Sequence, residues 1–131
     1  MTAPRPSRRG WTALALGGAL AIGASAVVSV AAETPTLDLS GGDAAKGKAV
    51  AMDRAKGNCI ACHLIVGGES PGAIGPALIA MQTRYPSKEA LALQIWDPTV
   101  KNPEAVMPPF GRHEILSKQE FADVVEYIWS L

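Results

Sequence analysis

An all-α fold is what this sequence predicts, and three observations predict it. Residues 117–129 place apolar side chains at helical spacing, and two further stretches open on helix-capping residues. No run alternates polar and apolar residues convincingly over strand length. The chain's 131 residues allow one domain and hardly two. Twelve basic against twelve acidic side chains leave no net charge, and so no electrostatic footprint for nucleic acid. With 48% hydrophobic and 18% charged residues the chain can build a core and is not of disordered composition. Two cysteines are too few for a disulfide scaffold.

Residues 1–32 contain Arg5, Arg8 and Arg9 and no acid, and Trp11 to Ala32 runs without a charge. This is the layout of a secretory signal peptide: a basic start, an apolar middle and small residues near a cleavage point. Ser29-Val30-Ala31 and Val30-Ala31-Ala32 both supply a small-x-small site, so cleavage is expected after Ala31 or Ala32. An uncleaved anchor is the competing reading, because about 20 apolar residues can span a bilayer. Arg8-Arg9 invites twin-arginine export, which the flanking residues support poorly. Without the three leader arginines, nine basic face twelve acidic side chains, and the remaining domain is mildly acidic. Such a small domain buries a modest core and often relies on a metal or cofactor.

Residues 33–42, with Pro35 and Gly41-Gly42, read as a loose lead-in to a domain over 43–131. Asp43 is a candidate N-cap for a first helix over Ala44 to Arg54, which Gly57-Asn58 ends. Gly67, Gly68, Pro71, Gly72, Gly75 and Pro76 make a long loop. A short helix is expected from Ala77 to Thr83, ended before Pro86. Ser87 caps the next, Lys88 to Trp96, with Leu91, Ile95 and Trp96 as candidate inward positions. Four prolines between residues 97 and 113 (Pro98, Pro103, Pro108, Pro109) and Gly111 forbid regular structure there. The last helix is the best marked. Ser117 and Glu120 form a capping box, and Phe121, Val124, Val125 and Ile128 follow at i, i+3, i+4 and i+7.

Cys59-Ile60-Ala61-Cys62-His63 is C-x-x-C-H, the attachment signature of c-type haem. On a helix, residues three apart share a face, so both thiols can reach the two vinyl groups of one porphyrin edge. His63 is then carried under the ring, where its imidazole can bind iron. An exported chain strengthens this reading, since c-type haem is attached outside the cytoplasm. A dithiol redox pair would prefer a β-α-β context, which is missing. A zinc site would need two more ligands, and besides carboxylates only His113 is available. A plain disulfide leaves His63 unexplained. The candidates for the other side of the iron are Met52, Met81, Met107 and His113. Met52 and Met81 lie in apolar helical stretches, where a methionine is usually core filler. Met107 lies in Val106-Met107-Pro108-Pro109-Phe110-Gly111, an irregular loop stiffened by two prolines, and is the preferred ligand, with His113 second.

Over residues 40–131 the chain resembles the class I cytochromes c. Gly42-Asp43-Ala44-Ala45-Lys46-Gly47 is similar to that family's first helix, where a glycine lets the last helix cross closely. Glu126-Tyr127-Ile128-Trp129 is similar to its partner, with Tyr127 at the crossing. Gly75-Pro76-x-Leu78 matches the stretch whose proline carbonyl accepts the proximal imidazole N–H, here Pro76 and His63. The resemblance implies one covalent haem c on Cys59 and Cys62, with iron between His63 and Met107. A narrower set adds Arg84-Tyr85-Pro86, Asp97-Pro98, Asn102-Pro103 and Met107-Pro108-Pro109-Phe110-Gly111, and resembles the SoxX family. These are monohaem subunits of the periplasmic SoxAX complex of sulfur-oxidising bacteria. That resemblance implies a SoxA-like cytochrome partner in a heterodimer or heterotrimer and a downstream cytochrome acceptor, with no membrane contact after cleavage. It implies a non-catalytic electron-transfer subunit of an L-cysteine S-thiosulfotransferase, which joins thiosulfate to a carrier-protein cysteine and has its catalytic cysteine on the partner. Trp96, Tyr85, Arg84 and Arg112 are open as haem, propionate, core or surface residues. The alternatives are a free monohaem carrier between respiratory complexes and, more weakly, a sensor haem with a displaceable methionine.

Overall fold

A computed structural model describes residues 34–131; the signal-peptide reading of residues 1–32 lies outside them. Asp43 begins the ordered helices, its extended backbone and its carboxylate accepting from Ala45 N (2.8 Å) and Lys46 N (3.2 Å). Helix α1 (Ala44–Met52) is two residues shorter than expected. Asp53 ends it in extended conformation and turns its own carboxylate to Ala55 N, offering the chain a turn in place of the helix. After a 3-10 turn (Cys59–Ala61) and the glycine-rich loop come α2 (Met81–Arg84), α3 (Lys88–Trp96), a second 3-10 turn (Pro98–Val100) and α4 (Lys118–Trp129). The described residues contain no strand, as the absence of alternation predicts.

Helix α4 carries the core. Phe121, Val124, Val125, Tyr127 and Ile128 are all buried, and α1 crosses the helix on their side. The crossing is close because Gly47 has no side chain. A Cβ there would lie 1.9 Å from the carbonyl oxygen of Asp123 and 2.9 Å from Cβ of Tyr127. Asp123, 2% exposed, pins the pair by accepting from Asp43 N (2.8 Å) and Gln119 Nε2 (2.9 Å). No spacing rule singles this aspartate out, since it stands outside the stripe of Phe121, Val124, Val125 and Ile128.

The lead-in is better anchored than its composition implies. Leu37 and Leu39 pack against the core, and Gln119 Nε2 donates to Gly41 O (3.0 Å). The second helix also needs correction: Ala77–Ala80 is not helical, and the helix spans only Met81–Arg84. Backbone N–H groups of the supposed first turns are taken by distant carbonyls, Leu78 N by Leu64 O (2.9 Å) and Ala80 N by Leu131 O (2.7 Å). Ala80 itself is left-handed, at φ 49°. Lys88–Trp96 matches its expectation, with Leu91 and Ile95 buried and Trp96 half-buried. In the proline-rich segment, Pro98 at the first turn position permits the short 3-10 turn that the proline count argued against.

The capping box at the start of α4 is complete: Glu120 N donates to Ser117 Oγ (3.3 Å) and Ser117 N to Glu120 Oε2 (3.0 Å). Such a cap contributes about 1 kcal/mol. Lys56, beyond α1, makes an ion pair with the same carboxylate. Together the Lys56 ammonium and the Ser117 hydroxyl and N–H hold Glu120 down from its ordinary 4.5 to about 2. A carboxyl depressed on folding stabilises above its unfolded value and loses that contribution as pH falls through its folded value. Glu120→Gln should therefore lower Tm at pH 7, and its deficit should close between pH of about 4.5 and about 2. Thermal melts across that window test this; a deficit of constant size would contradict it.

Candidate functional site

Gly57-Asn58 does not end α1, which Asp53 has already stopped; it turns the chain instead. Asn58 takes the left-handed conformation (φ 46°, ψ 34°) that asparagine tolerates, and turns the chain into the Cys59–Ala61 3-10 turn. The turn is tighter than the α-helix expected. Cys62 N (3.2 Å) and His63 N (2.9 Å) both donate to Cys59 O. In 3-10 geometry residues three apart eclipse, so Cys59 and Cys62 still share a side. The glycine-rich loop folds back on this turn, with Gly72 N on Ile60 O and Gly75 N on Cys62 O, each at 2.8 Å.

That return path sets the His63 ring. Its Nδ1 lies 2.7 Å from Pro76 O. A carbonyl only accepts, so Nδ1 carries the proton and donates, leaving the lone pair on Nε2. Gly75 lies flat against the ring: a Cβ there would come within 2.4 Å of Cε1. Orientation and tautomer are thus both set by the Gly75-Pro76 pair.

Cys59, Cys62, His63 and Met107 line one cavity of about 320 Å³, with Asn58, Gly75, Phe110 and Ile115 among its other walls. A smaller, almost wholly apolar cavity shares Cys59, Met107 and Phe110 with it and reaches Met81, Leu91, Ile95, Val124 and Ile128 of the core. The combined space lies in the range of small-molecule and cofactor sites. Of the four candidate distal ligands, Met107 borders both cavities, while Met52 and His113 border neither, His113 being exposed. Met81 borders the apolar one, 2% exposed, with its Sδ accepting from Arg84 Nη1 (3.5 Å). Tyr85 lines the apolar cavity. Arg84 also donates to Ala77 O (2.7 Å), Trp96 packs edge-to-face on Phe121, and Arg112 pairs with Asp97.

Burial pushes the Cys59 thiol up to about 11. A dithiol redox pair needs the opposite, a thiolate made available near neutral pH. Among the described residues no cluster of three or more His, Cys, Asp or Glu is placed to hold a metal ion. What remains is an apolar space with two thiols, an oriented imidazole and a thioether on its walls.

The sequence profile of the cytochrome c family matches residues 44–131. The chain belongs to that family. This cytochrome is also similar in structure to a chain of the SoxXA crystal structure from P. pantotrophus, with a TM-score of 0.61 and 25% identity, over 68% of this chain and 81% of that one. An uncharacterised lipoprotein of Aquifex aeolicus (strain VF5) is 34% identical over 77 residues. That match covers 56% of this chain and 36% of the lipoprotein, so the chain spans little more than a third of its length.

Membership establishes a cytochrome c domain with covalent haem c, and Cys59 and Cys62 fit the C-x-x-C-H motif that attaches it. The residues present fit the group. The cavity walls are mainly apolar, and the buried Oδ1 of Asn58 beside it has no partner, as expected where a site is completed by something other than protein. Sequence reasoning missed Asn58, Phe110 and Leu116 as cavity-wall residues. Gly57-Asn58 reads equally well as a plain turn, and Leu116 reaches the wall only through the fold.

Proposed function

We propose that this cytochrome is the electron-transfer subunit of a periplasmic SoxAX-like complex, exported by the signal peptide of residues 1–32. In this reading Cys59 and Cys62 hold the porphyrin through thioether bonds, each S–H adding across a vinyl group without net oxidation. His63 Nε2 and Met107 Sδ would hold its iron, with Pro76 O fixing the orientation of the imidazole. The bound haem supplies a one-electron iron couple whose potential the methionine raises. Were His63 and Met107 both to hold the iron, no position would be left open for a substrate, and the role would be relay. Once Cys59 and Cys62 are committed, no thiol remains among the 131 residues, and the sulfur-transfer nucleophile has to come from a partner.

The observation that carries the reading is the likeness to a SoxXA chain, together with Asn102-Pro103 and Met107-Pro108-Pro109-Phe110-Gly111. The cavity rim supports it. Ile74 and Val106 there are 73% and 78% exposed, and Ile115 is 43% exposed. A rim with exposed apolar residues, which also carries Arg54 and Lys56, suits a cytochrome–cytochrome interface.

Pulling the mature chain from thiosulfate-grown cells tests the proposal. The expected result is copurification, at fixed stoichiometry, of a second cytochrome with a cysteine not used for haem. A monomer with no such companion would favour the free carrier. The same preparation should start just after Ala31 or Ala32, and an N-terminus still including Trp11 would contradict export by cleavage.

A further inference from the structure

The loop that presents Met107 is tied down at its two ends. At its start, Lys101 N and Asn102 N donate to Pro98 O (3.2 and 3.1 Å), and Ala105 N donates to Asn102 O (2.9 Å). At its end, Gly111 N and Arg112 N both donate to Trp96 O at 3.2 Å. Gly111 rests on the Trp96 indole so closely that a Cβ would lie 1.9 Å from Cε3. One carboxylate joins the two ends. Asp97, only 5% exposed, accepts at Oδ1 from Thr99 N (3.0 Å) and from the Thr99 hydroxyl, and at Oδ2 from Arg112 Nη1 (2.9 Å).

We propose that the Asp97–Arg112 ion pair is a latch that holds the Met107 loop closed, making these two residues positioning residues for the thioether. The inference rests on Met107 being an axial ligand, and extends it to residues that do not line the cavity. Asp97 is fixed by the turn that follows α3, so its carboxylate is a stationary post. Arg112 reaches it from the far end of the loop, five residues beyond Met107. Releasing the guanidinium removes the ion pair between the loop's two ends and leaves its far end to backbone bonds, buried Phe110 and the indole contact. An added ligand can take the methionine's place only while the loop is open, so its apparent affinity scales with the open fraction.

Imidazole titration of the ferric holoprotein reads that fraction, with the Met–iron band as the second readout. Arg112, whose side chain is 60% exposed, can be changed without burying anything new. Arg112→Gln should raise imidazole affinity on the order of tenfold and weaken the band, since a charge-assisted hydrogen bond is lost. Asp97→Asn should do the same, and the double variant should go no further than the larger single effect, because the two residues act as one unit. Arg112→Lys, which keeps the charge with fewer donors, should fall between wild type and Arg112→Gln. A pair that merely stabilised the fold would lower Tm and leave imidazole affinity alone. Affinity within twofold of wild type in Arg112→Gln, with a normal wild-type band, would overturn the latch by itself, even if Asp97→Asn failed to fold. A wild type lacking the band would overturn the ligand assignment and the latch together.

Discussion

Met107→Ala is expected to abolish the Met–iron band of the oxidised protein and to let the reduced protein bind carbon monoxide at neutral pH. Met107 is the distal candidate that borders both cavities, and it stands between Val106 and two prolines in a loop anchored at each end. Alanine offers no sulfur, and neither Met52 nor His113 borders the space to replace it. Met81 is buried in α2 with its sulfur engaged by Arg84. The reduction potential should fall by a few tenths of a volt, within the range of about 0.8 V that axial ligands span. A variant with its band intact and no affinity for carbon monoxide would refute the assignment. Carbon monoxide binding by the wild type would instead favour a sensor with a displaceable methionine.

Gly47→Val should be the most damaging single change to the fold. The new Cβ would meet backbone, with Asp123 O at 1.9 Å and Asp123 C at 2.4 Å, and no rotamer relieves that contact. The helices must separate, which disturbs the Asp43 N to Asp123 Oδ1 bond and exposes part of the α4 stripe. Overpacking of this kind costs about 3 kcal/mol or more, against a total of roughly 5–15 kcal/mol for a domain. For a domain of this size that is a Tm loss of roughly 10–20 °C, readable by circular dichroism. A variant melting within a few degrees of wild type would mean that α1 and α4 do not cross at Gly47.

Elements with strong local signals were legible in the sequence. Ser87 and Ser117 mark the starts of α3 and α4 because a serine cap acts within its own first turn. The haem-attachment motif was equally visible, since it is a short run whose chemistry demands those residue types, and the structure places His63 and Met107 on the walls of the same cavity. What stayed hidden depends on partners far along the chain. Ala77–Ala80 reads as helix by composition, yet Leu64 and Leu131 claim its N–H groups. Asp123 looks like a solvent position until Asp43 docks on it, and Arg112 looks like surface until the loop brings it to Asp97. The anchoring of Leu37 and Leu39 was invisible for the same reason, because a lead-in acquires its role from the core it meets.

The most direct test of the account is a mass spectrum of the tryptic peptide Gly57–Arg84, which spans both cysteines and His63. One haem is expected on that peptide, bound through both sulfurs and retained after denaturation and acid extraction, with no other haem on the chain. A peptide recovered without haem, with Cys59 and Cys62 as free thiols or joined to each other, would contradict it.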